Sequence, residues 1–317
     1  MRPIPVLILL FWLASMAWLT TTKLIPPLRT GSPPRYEDVL PSEAVQLPPE
    51  RWSIRLNQRV IGVALNRIRR DPDGRGSISS SVTIPELSLQ DLVNQQFGGL
   101  SASLLTGFGS DSADAQPLRF HLENEMSFDH FGELTGFDCL VDVADLQDCI
   151  TLRGTVLDDK LQLVAYLKLP DANSDEEPVP KVVHKGQIKL PPDSLLADSL
   201  SPRSRFGQLR VGQTWTFQSY RPLTPTHPLQ SIEATVESRE MIEWNSEQIR
   251  AYHVVYRRPV GVILNIDQTL GHVWVRSDGQ VLRQSVRWGS LELTFERLPS
   301  SPEEARNSPA VEERTDD

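Results

Sequence analysis

The hydrophobic pattern of this chain changes character twice. After Arg2 there is no charge as far as Thr22, and the run IPVLILLFWLASMAWL is apolar on every face of a helix. That is close to the ~20 residues a helix needs to cross hydrocarbon, so residues 1–23 read as a transmembrane signal anchor. A cleaved signal peptide competes with this reading, with an apolar stretch from Ile4 to Leu13 and a small-x-small site at Ser15-Met16-Ala17. Apolar residues continuing through Leu19 favour the uncleaved anchor. Arg2 on one side and Lys23, Arg29 and Arg35 on the other leave orientation open by charge; an amino-terminus-in anchor is the expectation.

Residues 24–50 lose that pattern. Pro26, Pro27, Pro33, Pro34, Pro41, Pro48 and Pro49 fix φ repeatedly and predict an extended stalk, against whose domain Tyr36, Val39 and Leu40 can dock.

From Trp52 the period becomes two. WSIRL and RVIGVALNRIRR predict strands joined at Asn57-Gln58, and DPDGRG, Asp71 to Gly76, supplies the next turn. A helix is predicted in PELSLQDLVNQQFGGLSASLL, where Ser88 and Asp91 open a run with Leu89, Leu92, Val93, Phe97, Leu100 and Leu104 near one face. Arg119 to Lys168 alternates through four or five strands, an acidic loop fills 171–180, and a short helix is predicted from Asp193 in PPDSLLADSL.

The last block, from Leu209 to Leu298, contains IEATVESREMI, QIRAYHVVYRR, HVWVR, VLRQSVRW and LELTFER, with turns at Trp244-Asn245-Ser246, Asp278-Gly279 and Trp288-Gly289. A two-residue turn at Asp278-Gly279 sets Val275 opposite Leu282 and Trp274 opposite Arg283. Residues 51–298 thus form one exported β domain. Its possible halves are 51–170 and 205–298, each opening on a Trp-led strand. The stretch 299–317 reads as a disordered tail.

A 317-residue chain with net charge -9 lacks the basic clustering that a phosphate-backbone binder needs, which excludes nucleic acid as a partner. Its two cysteines, Cys139 and Cys149, either close a small disulfide loop in an oxidising compartment or stand as unpaired thiols on neighbouring strands.

No catalytic motif emerges. No two histidines have the spacing of a helical metal site. His121, Glu123 and Glu125 alternate along a strand and read as a solvated face rather than a metal site. GLSAS lacks the second glycine of a nucleophile elbow, and no phosphate-binding glycine loop is present. The expectation is therefore a non-enzyme without cofactor or metal, with Trp215, Trp274 and Arg283 as a possible ligand or partner face.

VGQTWTF at Val211 to Phe217, HVWVRSDGQVLRQ and LELTFER resemble exported, membrane-anchored bacterial β proteins of planctomycete-like type and, at a distance, the lipoprotein-carrier (LolA-like) curved-sheet superfamily. The resemblance implies a mainly β fold with a few helices: a strongly curved antiparallel sheet or half-open β-barrel, with helices over its concave face and room for an acyl chain or a partner segment. With the anchor, it sets up the expectation of a membrane-tethered envelope protein, its bulk exported, that binds a hydrophobic ligand, lipid or protein partner. An accessory subunit of an envelope complex is the alternative, and a hydrolase with a non-local active site ranks below both.

Overall fold

The computed structural model describes residues 3–19, 36, 39–41, 45–87, 118–144, 146–168, 178–190, 196–198, 200–221, 226, 228–259, 269–288 and 291–299. Helix α1 (Pro3–Leu19) carries the leading apolar run, with Phe11, Trp12 and Trp18 exposed. Among the described residues no helix is long and apolar enough to cross a membrane. The expectation of a single-pass transmembrane anchor over residues 1–23 is corrected accordingly.

The other named elements are all strands. The strands are β1 (Glu50–Leu56), β2 (Arg59–Arg70), β3 (Gly76–Leu87), β4 (Leu118–Phe128), β5 (Leu134–Val143), β6 (Leu146–Leu157), β7 (Lys160–Leu167), β8 (Lys181–Lys189), β9 (Leu196–Asp198), β10 (Thr214–Tyr220), β11 (Leu229–Trp244), β12 (Glu247–Arg257), β13 (Thr269–Arg276), β14 (Val281–Trp288) and β15 (Leu291–Arg297). They form one sheet in the order β8-β7-β6-β5-β4-β3-β2-β1-β15-β14-β13-β12-β11-β10-β9. Two meanders, β1 to β8 and β9 to β15, thus meet where β1 pairs antiparallel with β15, Trp52 opposite Arg297 and Ile54 opposite Phe295.

Local chemistry explains the hairpins. Asn57-Gln58, Asp158-Asp159 and Asn245-Ser246 all take positive φ, between 48° and 69°, which is the turn whose twist matches flanking strands and which Asn and Asp tolerate best. At Asp278-Gly279 the turn differs from the expected two-residue form: Gly279 takes φ 85°, Arg276 N donates to Gln280 O, and a bulge sets Val275 opposite Val281 while Trp274 still faces Arg283. Leu282 consequently leaves the face of Val273 and Val275 and joins a second small cluster with Ile242 and Ala251, flanked by Trp244, Ile249 and Trp274.

The sheet is strongly curved without closing into a barrel. Phe137 of β5 stacks on Tyr220 of β10 at 4.4 Å, although ten strand steps lie between them in the sheet, about 48 Å if it were flat. Only a sheet curled back on itself can bury both rings in one core, with Trp52, Ile54, Leu122, Leu152 and Val273 fully enclosed beside them.

Three further expectations meet the structure. The helix predicted over 88–104 lies outside the described residues, as do most of the stalk, residues 171–177 of the acidic loop, and the tail from residue 300. The short helix predicted from Asp193 is not formed at its described residues: Leu196–Asp198 is β9, drawn into a parallel pairing with Gln218–Tyr220 of β10. Cys139 and Cys149 are buried free thiols. Cys139 lies opposite Leu152, three residues along β6 from Cys149 and so about 10 Å from it, beyond the 4.4–6.8 Å Cα span of a disulfide.

Candidate functional site: a polar row and the strap that covers it

Along β2, β3 and β4 the inward positions are apolar except at one level. Asn66 interrupts Ala64 and Ile68, Ser80 interrupts Ile78 and Val82, and Asn124 interrupts Leu122 and Met126. The register places them side by side: Glu50 opposite Asn66, Asn66 opposite Ser80, Ser80 opposite Asn124, Asn124 opposite Cys139. A polar row therefore crosses four strands of the interior and ends against Cys139, and each polar member needs a hydrogen-bond partner there.

For Glu50, Asn66 and Ser80 that partner is the chain itself. Residues 196–198 and 200–209 cross the interior as a strap where the resemblance implied helices. The sheet grips its backbone: Asn66 Nδ2 donates to Pro202 O at 2.7 Å and Ser204 Oγ at 3.1 Å, and the Arg203 N–H donates to Gln284 Oε1 at 3.0 Å. Arg297 Nη1 donates to Ser204 O at 3.3 Å, and its Nη2 pairs with Glu50 Oε1 at 2.7 Å. Val281 N donates to Ser204 O and Phe206 N to Gly279 O, so the strap is stitched to the β13–β14 turn through an isolated antiparallel bridge, Arg205 opposite Gln280. A side chain at Gly279 is excluded, because a Cβ there would lie 2.1 Å from Phe206 O.

At the other end of the strap, Ser80 Oγ donates to Ser201 Oγ at 2.6 Å, and Ser201 donates in turn to Asp198 Oδ2. Leu200 N donates to Asp198 Oδ1 at 2.8 Å. Burial pushes the Asp198 carboxyl up to about 6, against the opposing pull of those two hydrogen bonds. Tyr36 closes this end: its hydroxyl donates to Leu196 O and accepts from Leu196 N at 2.9 Å, its ring meets Phe128 at 4.5 Å, and burial raises its pKa to about 12. The docking expected of Tyr36, Val39 and Leu40 is realised here, with Leu40 in the core. Between strap and row remains a cavity of about 80 Å³, lined by Tyr36, Asn66, Ser80, Asn124, Asp198 and Arg203 among others.

The sequence-predicted face is not assembled in one place. Trp215 is buried in the interior against Phe206, ring centroids 6.0 Å apart. Trp274 and Arg283 form a cross-strand pair on the opposite side of the sheet, the guanidinium 5.8 Å from the indole. There the row is self-satisfied. Trp274 stacks on His253 at 5.2 Å and 8°, its Nε1 donates to Glu240, and Arg283 donates to Glu243 O at 2.9 Å and pairs with Glu296 at 3.2 Å. His253 Nε2 and His272 Nδ1 share a hydrogen bond at 3.0 Å, and burial, then the neighbouring His253, lowers the His272 pKa. His121 bonds Thr83 at 2.9 Å and Glu123 at 3.2 Å, and among the described residues no group of three metal-ligating side chains occurs.

No family model matches the chain, and no curated protein matches it in sequence. Among solved structures it is similar to a β-barrel-like protein of a domain of unknown function, DUF1849, from Brucella abortus, at 6% identity and a TM-score of 0.44 over 81% of this chain and 96% of that one. It is also similar to a protein classed as a candidate lipoprotein from Parabacteroides distasonis, at 7% identity and a TM-score of 0.22 over 84% of this chain and 98% of that one.

Proposed function

We propose that this chain is a non-catalytic, exported envelope protein whose β domain, like the curved sheets of lipoprotein carriers, serves recognition, and that it recognises a protein partner. One observation carries the preference for a partner over an acyl chain. The interior that would hold a lipid is filled by residues 196–198 and 200–209, leaving about 80 Å³, far below the ~300 Å³ at which small-molecule pockets begin. A lipid would have to displace a strap held by side chains from β2, β14 and β15.

The free edge supports the same reading. The sheet order ends at β8, and β9 covers only Gln218–Tyr220 of β10. Leu190, just past β8, and Leu196 are six residues apart, so the two edges approach within about 20 Å at that end. The resulting seam offers β8 for strand addition, with Lys181, Lys185 and Lys189 exposed along it and Val182 57% exposed. Those lysines repel basic strands, would be desolvated at a cost by apolar ones, and favour an extended segment carrying carboxylates. The chain then works as an accessory subunit of an envelope complex.

A photo-crosslinker installed at Val182 of the full chain, illuminated in intact cells, tests this. An adduct with an envelope protein at Val182, and none from a crosslinker at Val63 on the middle of the sheet, is the expected result. Recovery of monomer alone from both positions sinks the proposal.

A further inference from the structure

The cavity beside the strap is unbalanced in its hydrogen bonding. Asn66 spends its amide donor on Pro202 and Ser204, so its Oδ1 accepts nothing; Asn124 Oδ1 accepts nothing either. Both residues are at least nine-tenths buried, at 2% and 5% exposure. On the strap side, Arg203 Nη2 is cut off from solvent and donates to no acceptor, and among the described residues no carboxylate lies in ion-pair range of its guanidinium. The half-buried guanidinium lies over the rings of Phe217 at 4.6 Å and Phe206 at 5.4 Å. Two acceptors without donors and one cationic donor without an acceptor thus surround one space.

Size and charge narrow what can fill it. About 80 Å³ is roughly half the 150 Å³ that accommodates benzene, which leaves room for about three or four non-hydrogen atoms. Water could meet the two amide oxygens, yet for the half-buried guanidinium, whose Nη2 is sealed from solvent without an acceptor, an oxyanion is the stronger partner. A plain carboxylate would meet Arg203 and still leave the asparagine oxygens empty. We propose that the cavity is a binding site for a small oxyanion that also carries an O–H, of the size and chemistry of bicarbonate, with its anionic oxygens on Arg203 and its hydroxyl donated to Asn124. This site stands independently of the strand-addition edge.

The thermal unfolding midpoint of the full chain, followed in bicarbonate, acetate and chloride at matched ionic strength and pH, reads the site directly, because a ligand that binds only the folded state raises it. The midpoint is expected to rise with bicarbonate, less with acetate and not with chloride. Arg203→Gln should weaken the bicarbonate response roughly ten- to a hundredfold in concentration, as expected for loss of a charged hydrogen bond. Asn124→Leu, which keeps the guanidinium, should erase the preference of bicarbonate over acetate, so the proposal stays testable if Arg203→Gln does not fold. Identical midpoints in the three salts, an unchanged bicarbonate response in Arg203→Gln, or a crystal structure in bicarbonate with water alone in the cavity would each overturn it.

Discussion

Phe137 and Tyr220 stack at 4.4 Å and 14° across the interior, joining the two meanders on the side opposite their shared strand boundary. The contact holds the curvature of the sheet, and it leaves no space at Gly154, where a Cβ would lie 2.2 Å from the Phe137 ring. Phe137→Ala should cost about 3–5 kcal/mol, and Gly154→Ala should also destabilise through that clash. The two together should cost less than their sum, because removing the ring removes the clash. Denaturant titration of the four proteins measures the coupling, and strict additivity would show that Phe137 does not hold this position.

Asp198 gives the strap a pH dependence of definite sign. Its folded-state value, about 6, is above the unfolded 3.8, so its contribution to stability is full below about 3.8 and is lost as pH rises through about 6. A rise of about 2 is worth roughly 3 kcal/mol for so buried a group. Asp198→Asn keeps an acceptor for Leu200 and should be the more stable protein at pH 8, the difference shrinking below pH 4. Parallel stability-against-pH curves for the two proteins would contradict this.

The two cysteines should behave as inert interior groups. Burial raises both thiols, Cys149 to about 12 and Cys139 well above its ordinary value, with Asp142 and Asp198 adding to the effect respectively. Alkylation at pH 8 should be negligible in the native protein and complete at both sites after denaturation, with no change in melting temperature on adding reductant. An intact mass two hydrogens below the reduced chain would refute the free-thiol assignment.

The Trp274 row is expected to act in stability rather than recognition. Trp274→Ala should cost about 2 kcal/mol, less than a fully buried Trp because the indole is only half-buried, and Arg283→Ala less than about 1 kcal/mol. His272, its pKa lowered on folding, contributes stability that is present above the unfolded value near 6.5 and is lost as pH falls below it. His272→Gln should flatten that acid-side loss; an unchanged slope in thermal melts between pH 7 and 5 would assign the loss elsewhere.

Much of the β architecture was written locally. Alternation in LELTFER, the Asn57-Gln58 and Asp158-Asp159 turns and the Trp274–Arg283 pairing all follow from period-two patterning and turn chemistry acting over a few residues. The site was only half legible. Asn66, Ser80 and Asn124 each stand as a polar residue at an inward position of its strand, a visible signal, yet nothing along the chain aligns three separate strands at one level. The strap was misread as helix because Leu195, Leu196 and Leu200 have helical spacing; pairing with β10 and the Tyr36 hydroxyl outweighed that weak propensity.

By itself, then, the sequence determined the strands, their turns and most of their faces, since these depend on neighbours in the chain. Tertiary structure decided the curl that stacks Phe137 on Tyr220, the separation of Cys139 from Cys149, the division of Trp215 from Trp274 across the sheet, and the strap that fills the interior. Those outcomes depend on register between distant strands and on where buried polar groups find partners, and both are settled only when the whole sheet closes around its core.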